Sequence, residues 1–558
     1  MEPDSVSAPP PAFSRQRSRL GGAALDAVSL SEQGLSWGFD IARLATTVGF
    51  DVAAAALRAT AGHAERVGGG LNPLASTLRN FEDVVGVAHV ATRVGQDAVH
   101  SFSKASLTAA RSSLEASGAR EGELLRLALG EEASESLLTV IEMVRRFCAP
   151  MAGVPLPRLI AAARAWNAVQ QAGAEVRLTL GPAPLSAELP EHAERWMRFA
   201  AASFGPAFLA GMADGISLAP AIRARAVAAS GGGAGEQALA SAQVTGSVKV
   251  LSFVEHSSEI FVPGYMVAVD YEVGCVVVAL RGTSSARDAL VDLVCEPTEL
   301  ELGGLRGFAH GGMLRAAQHL ARPLAEAAHR GLEELTRSSA PGDDTVPPRA
   351  SPPVARPRVV LCGHSLGAGV AALIAALWRD SGEMPCDVQC VAFACPQVLD
   401  ASLSQALCNH TTSIVLGDDL VPRLSLSTVQ DLREAFLRLN DPQAFHLPAD
   451  LGTDALLALA SQSSENRVRL AAAHTSLRAA GARVDAGRLF PAGRIIILPV
   501  AANTISLSST ARGPQDGGHA DVDELRLSQD MASAHMPGRY IKALQEATGR
   551  NAASDPLL

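Results

Sequence analysis

The stretch from Pro357 to Trp378, PRVVLCGHSLGAGVAALIAALW, constrains the fold more than any other part of the chain. Val359, Val360, Leu361 and Cys362 form a short apolar run of the kind a fully buried strand needs. Gly363, His364, Ser365, Leu366 and Gly367 then satisfy the pattern G-x-S-x-G. Ala368 to Trp378 is rich in Ala and Leu and free of proline, which predicts a helix. Strand, tight glycine turn and helix in that order make a nucleophile elbow. Such a serine sits on a strained turn with its hydroxyl exposed, so its flanks must lack side chains that would clash. Gly363 and Gly367 meet that need, and Gly369 lets the helix pack close. A helix N-terminus behind Ser365 also favours developing negative charge. The run is long enough to span a bilayer, but His364, Ser365 and the glycines argue against that use.

The chain has 558 residues, 48% hydrophobic and 19% charged, enough for two or three domains built around real cores. Aromatics make up only 4%, which favours helices packed through small side chains. A net charge of -10 leaves no basic footprint for nucleic acid, and speaks against binding anionic membranes by charge alone. The cysteines include no C-x-x-C paired with a second one, so zinc is not expected. Cys275 and Cys362 lie inside apolar runs, where a free thiol packs as a small hydrophobe. Reduced thiols in an intracellular compartment are the simplest account. The N-terminus lacks the basic-then-apolar order of a signal peptide. Arg and Ser within residues 14–19 leave a transit peptide open, with Glu2 and Asp4 against it.

In chain order, residues 1–20 read as a disordered tail rich in proline and serine. Residues 21–185 read as a helical N-terminal region, with stretches near 81–114, 121–147 and 159–174. Two roles stay open for it: a soluble helical domain packed on the rest, or an amphipathic region lying on a lipid surface. No uninterrupted apolar run in it has membrane-spanning length. Ala193 to Phe208 reads as a helix stopped by Gly205 and Pro206. Strands are expected at Val248–Val254, Glu259–Asp270 and Gly274–Leu280, the last two joined by a hairpin turn at 271–273. From there strands and helices alternate, which predicts a mostly parallel sheet covered on both faces, an α/β fold. Ser285–Val294, SARDALVDLV, follows a strand end with a cap-like serine and an apolar stripe, and is either a lid or a surface helix. His310–Leu335 reads as one long helix. The Pro/Ser/Ala-rich insert at 338–357 reads as a disordered loop. Further strands are expected at Val388–Cys395, Thr412–Leu416 and Gly493–Val500, with Thr504–Leu507 a candidate partner. Helices are expected at Ser427–Leu439, Ala455–Ala480 and Met536–Thr548.

A serine hydroxyl needs a base in hydrogen-bond reach, itself oriented by a carboxylate. After an elbow the partners follow as acid, then histidine. The acid belongs just past a later strand, where Asp418 and Asp419 both qualify. Downstream lie His446, His474, His519 and His535. Only His535 stands after the last strand and just before the closing helix, where a base belongs.

Four motifs in order, VALRGTSS (278–285), AHGGML (309–314), LCGHSLGAG (361–369) and GDDLVPRLS (417–425), resemble the class 3, fungal-lipase-like lipases. HMPGRYIKAL (535–544) is a weaker fifth. Within the family the sequence looks most similar to the sn-1-specific diacylglycerol lipases. The resemblance implies an α/β-hydrolase domain over residues 186–548, with a helical insert at 444–486 and a tail at 549–558. It implies Ser365 as nucleophile, Asp419 as acid and His535 as base. It implies an oxyanion hole made by Thr283, through its backbone N–H and hydroxyl, and by the backbone N–H of Leu366. It assigns 285–294 to the lid. The animal diacylglycerol lipases carry four transmembrane helices before this domain, and this sequence shows none. The implied reaction is hydrolysis of a glycerolipid ester, diacylglycerol first, at a membrane or lipid-droplet surface, by a cytoplasmic or peripheral protein. No metal or organic cofactor is expected. Triacylglycerol lipase and phospholipase A1 activities rest on the same motifs. An inactive lipid-surface scaffold is the alternative of another class.

Overall fold

The computed structural model describes residues 154–180, 189–206, 219–255, 261–283, 295–338, 357–459, 463–479, 487–498, 522–528 and 533–548, with a few single residues between them. The helices expected before residue 150, the bulk of the candidate lid, the insert at 339–356, Thr504–Leu507, His519 and the tail lie outside those residues. Residues from Pro150 onward form a unit of their own.

The unit is organised by a seven-stranded sheet. Its strands are β1 (Val248–Val254), β2 (Tyr265–Asp270), β3 (Cys275–Leu280), β6 (Arg358–His364), β7 (Asp387–Phe393), β8 (Thr411–Leu416) and β9 (Arg494–Leu498), neighbours in that order. The first three pair antiparallel, and from β3 to β9 every pairing is parallel. Parallel strands must be roofed on both faces, which explains why β3 and β8 are buried along their whole length. Their sequences, CVVVAL and TTSIVL, are the continuous β-branched runs such burial favours.

One face is covered by helices α5 (Gly311–Ser338) and α6 (Leu366–Ser381), whose Ala and Leu side chains join Val276, Val278, Val359 and Leu361 in one core. The other face is covered by α2 (Ala193–Ala202) and α11 (Pro537–Ala547), with Trp196, Phe199, Tyr540 and Ile541 against Val277, Val360 and Phe393. This is the mostly parallel sheet covered on both faces that the alternation of strands and helices predicted, in the α/β-hydrolase arrangement that the resemblance implied.

Some elements differ from expectation. The second strand begins at Tyr265 rather than at Glu259, because Pro263 and Gly264 precede it and Phe261 takes a positive φ of 58°. Residues 297–310 form a hairpin of β4 (Pro297–Leu302) and β5 (Leu305–His310), which the sequence analysis did not expect. Its signal was the Gly303-Gly304 pair, both with φ > 0, a turn chemistry suited to a two-residue hairpin loop. The hairpin's exposed Glu and Arg residues hide it from a search for apolar runs. The single helix expected at Ala455–Ala480 is two, α9 (Thr453–Leu459) and α10 (Ser464–Ala479). Ser463 is not helical, and its hydroxyl accepts from the Asn466 N–H as a cap does.

A third core lies apart from the sheet. Helix α1 (Leu156–Leu180) packs on α8 (Leu426–Asn440), α9 and α10 through Trp166, Val169, Leu439, Leu456 and Leu470. A helix from before the lipase-like motifs is thus bound to helices of the insert between Asp419 and His535. Gly173 makes room for this, since a Cβ there would stand 2.6 Å from the His474 Nδ1.

Candidate active site

The parallel register aligns the site. Leu280, at the end of β3, is level with Gly363 on β6, and His364 is level with Phe393 on β7. Ser365 then sits at the turn into α6 with φ 60° and ψ -130°, a conformation that L-residues rarely adopt. The turn is held by the Ser365 N–H donating to the Phe393 carbonyl at 3.0 Å. The glycines are required. A Cβ on Gly363 would strike the backbone of Gly367, and one on Gly367 would strike the backbone of Leu280 and Arg281. A Cβ on Gly282 would stand 2.6 Å from the His364 carbonyl, so the Arg281-Gly282-Thr283 strand end is pressed against the elbow.

The structure brings together the three residues singled out as triad members. Ser365 Oγ is 3.0 Å from His535 Nε2. His535 Nδ1–H faces both oxygens of Asp419, at 3.0 Å and 3.1 Å. The tie left by the residues alone is resolved by geometry. Asp419 is fully buried beside the imidazole, whereas Asp418 accepts from Arg526 at 3.0 Å and turns away. Burial pushes the Asp419 carboxyl up, but hydrogen bonds from His535, the Tyr540 hydroxyl and the Val421 N–H outweigh it and hold it below its ordinary value. The other two described histidine candidates are elsewhere: His446 is a left-handed residue ending a short 3-10 turn, and His474 lies in the third core.

Tyr540 completes the site without having been singled out for it. Tyr540, five residues after His535 on α11, donates its hydroxyl to Asp419 Oδ2 at 2.6 Å and accepts from the Leu416 N–H at 3.0 Å. Its signal was spacing, since position i+5 from the base places it one helical turn into α11. His364 donates its Nε2–H to the His535 carbonyl at 2.8 Å. Burial pushes its imidazole down to about 3, so it stays neutral, and its Nδ1 has no hydrogen-bond partner among the described residues. Thr283 hydrogen-bonds its hydroxyl to the Asp292 carboxylate. His310 accepts from the Met313 N–H at 3.3 Å and also bonds the Asp292 backbone, so the AHGGML motif fixes the residue that fixes Thr283.

Residues 277–429 match the family model described as Lipase (class 3). The chain contains a segment similar to the class 3 lipases. That segment holds Thr283, Ser365, Leu366 and Asp419, while His535 and Tyr540 lie beyond it. Among curated proteins, the mouse diacylglycerol lipase-beta is 37% identical over 178 residues, 31% of this chain and 24% of that protein. The human diacylglycerol lipase-alpha is 32% identical over 176 residues, 31% of this chain and 16% of that protein. The chain therefore spans at most about a quarter of the length of these two relatives. The crystal structure of a mono- and diacylglycerol lipase from Aspergillus oryzae is 23% identical, covering 43% of this chain and 75% of that one with a TM-score of 0.28. So low a score carries no argument, and the fold of the lipase segment is read from its own strand order. No described helix is long and apolar enough to cross a membrane.

Proposed function

We propose that this chain is a serine hydrolase that cleaves an acyl ester of a glycerolipid, with diacylglycerol giving monoacylglycerol and a fatty acid. The observation that carries the reading is the relay from Ser365 through His535 to the buried Asp419, spaced at 3.0 Å on both sides of the imidazole.

Ser365 Oγ attacks the ester carbonyl carbon while His535 Nε2 takes its proton. Asp419 keeps the Nδ1–H in place and stabilises the imidazolium that forms. The carbonyl oxygen becomes an oxyanion, which the backbone N–H groups of Thr283 and Leu366 receive. The Thr283 hydroxyl donates its single hydrogen to the Asp292 carboxylate, which fixes the threonine whose N–H is the donor. A preorganised donor of this kind is worth about 3 kcal/mol in the transition state. His535 then gives its proton to the departing glycerol oxygen. Water, deprotonated by the same histidine, releases the fatty acid and restores Ser365.

Diacylglycerol enters this reading from the names of the relatives and lipid from their family. The exposed Met536, next in sequence to His535, suits an apolar substrate held at a membrane or lipid-droplet surface.

The test is to give purified protein and its Ser365→Ala variant mixed micelles of diacylglycerol, triacylglycerol or phosphatidylcholine carrying distinct acyl chains. Mass spectrometry identifies the released acid. Release of the sn-1 chain from diacylglycerol by the wild type alone supports the reading. Faster release from triacylglycerol or phospholipid keeps the mechanism and replaces the substrate. No Ser365-dependent release from any of them, with no labelling by a fluorophosphonate probe, overturns it in favour of a scaffold.

A further inference from the structure

The chain between β9 and α11 carries His535, and its described residues 522–527 are gripped by a cluster of polar side chains that the relay does not use. Glu524 is the centre. Its Oε1 accepts from His474 Nε2–H at 2.9 Å and from the Gln170 amide, and its Oε2 accepts from Arg478 at 2.8 Å. Burial would push the Glu524 carboxyl up. The bond and charge of His474, the charge of Arg478 and the Gln170 amide overcome it and hold the group at about 2. Arg478 also reaches Asp523 at 2.8 Å, and Arg488 reaches the Asp523 carbonyl at 2.9 Å. Gln170 holds the strand of chain a second and third time, donating to the Leu525 carbonyl at 2.6 Å and accepting from the Leu527 N–H at 3.2 Å. Asn167 donates to the Leu527 carbonyl.

These grips come from two helices that belong to neither sheet face. Asn167 and Gln170 lie on α1, before the lipase segment, and His474 and Arg478 lie on α10, in the insert. The strap they hold runs straight to the relay. Arg526 bonds Asp418, the neighbour of the acid, and the Met531 carbonyl accepts from the Leu420 N–H at 3.1 Å, one residue past the acid. The short 3-10 turn Ser533–His535 follows at once. The residues that set the position of the imidazole along the chain are thus anchored to the α1–α10 pair as well as to the sheet, where Val522 packs on Val415 and Ile495 and its carbonyl accepts from Gln397 at 2.7 Å.

We propose that Glu524, with Gln170, His474 and Arg478, is a positioning clamp: the α1–α10 helix pair holds the 522–527 strap and thereby seats His535 against Asp419. The proposal rests on the reading of His535 as the base. A group buried with several charged and polar partners is expensive to disturb, and its loss leaves them unpaired. Release of the strap lets His535 drift, and a misplacement near 1 Å in a catalytic group costs about 100-fold in rate.

Two variants of the full chain test it: Glu524→Gln, which keeps shape and removes charge, and Gln170→Met, which keeps volume and removes the strap bonds. Three quantities are read on the folded fraction, counted by fluorophosphonate labelling at saturation. They are kcat and KM separately, the rate constant of labelling, and the downfield proton resonance of the His535 Nδ1–H, assigned by its loss in His535→Gln. The clamp predicts that kcat and the labelling rate fall about 10- to 100-fold with KM unchanged. It also predicts that the resonance broadens or disappears. A merely structural role lowers the labelled fraction and leaves all three quantities at their wild-type values per folded molecule, which would overturn the proposal. Absence of the resonance from the wild type would overturn it as well, since the imidazole would then not be seated on Asp419. A wild type inert to lipid and probe, whose resonance nonetheless responds to both variants, keeps the clamp and removes the proposed function.

Discussion

The Tyr540 hydroxyl donates to Asp419 Oδ2 at 2.6 Å, and both residues are wholly buried. Burial and the adjacent carboxylate push the phenol well above its ordinary value, so it remains a neutral donor throughout the working range. The same oxygen accepts from the Leu416 N–H, tying the end of β8 to α11. In Tyr540→Phe that N–H loses its partner, and Asp419 Oδ2 keeps only the His535 Nδ1–H. We expect a loss of about 1–3 kcal/mol of stability, the cost of leaving a buried polar group unpaired. Urea denaturation measures it. The kcat should fall about tenfold with little change in KM, because an acid held by fewer bonds orients the base less well.

His364 separates two contributions at the elbow. Its Nε2–H bonds the His535 carbonyl while its ring packs 4.7 Å from the His535 ring and 5.7 Å from Tyr540. His364→Phe keeps a ring and removes the bond, and His364→Gln keeps a donor at the reach of Nε2. Glutamine should retain most of the hydrolysis rate, while phenylalanine should lose about tenfold or more from an unpaired carbonyl next to the base. Equal rates in the two variants would mean that packing alone is what His364 supplies.

The glycines of the elbow predict a graded series. A Cβ on Gly363 or Gly367 meets backbone that cannot move without breaking the register of β6 or the end of β3. A Cβ on Gly369 stands 2.6 Å from the Met313 sulfur, the far end of a flexible side chain. Alanine at 363 or 367 should cost about 3 kcal/mol or more, and alanine at 369 about 1 kcal/mol, the two ends of the range for overpacking. Thermal unfolding of the three variants ranks them.

Two buried histidines make the fold sensitive to mild acid. Burial pushes His310 down to about 4 and His364 down to about 3, from an ordinary value of 6.5. The unfolded chain takes up a proton on each as the pH falls below 6.5, and the folded chain does not until it reaches those lowered values. Stability is therefore complete above the ordinary value and declines as pH drops from 6.5 toward 4, by up to about 1.4 kcal/mol per pH unit for each group. Urea midpoints between pH 7 and pH 4.5 should fall steadily, and His364→Gln should flatten the slope. An unchanged slope would show that His364 is not held neutral in the fold.

Much of the fold could be read directly from the residues because its signals are local. β3, β6 and β8 are apolar runs that only a doubly covered strand can use, and the elbow announces itself by glycines flanking a serine. Chain order singled out His535 from four histidines, and the structure places its Nε2 3.0 Å from Ser365 Oγ. The hairpin at 297–310 was missed because its strands face water on one side and charged residues interrupt their apolar ones. The break between α9 and α10 was missed because a serine cap interrupts a pattern that is otherwise helical on both sides.

What the sequence determined by itself was the set of chemical groups and their order along the chain: a serine on a strained turn, an acid past a later strand, a histidine before the last helix. It could not choose between Asp418 and Asp419, adjacent residues in the same turn that differ only in which way each side chain faces. That choice was made by the packing of α11, which brings Tyr540 and His535 onto one carboxylate and leaves the other to Arg526. Nor could it tell that α1 is fastened to an insert some 300 residues later, since a clamp of Gln170, His474, Arg478 and Glu524 has no spacing along the chain. Local propensity acts over a few residues and leaves its mark in the sequence, whereas the burial that turns distant polar groups into one network exists only once the tertiary structure has formed.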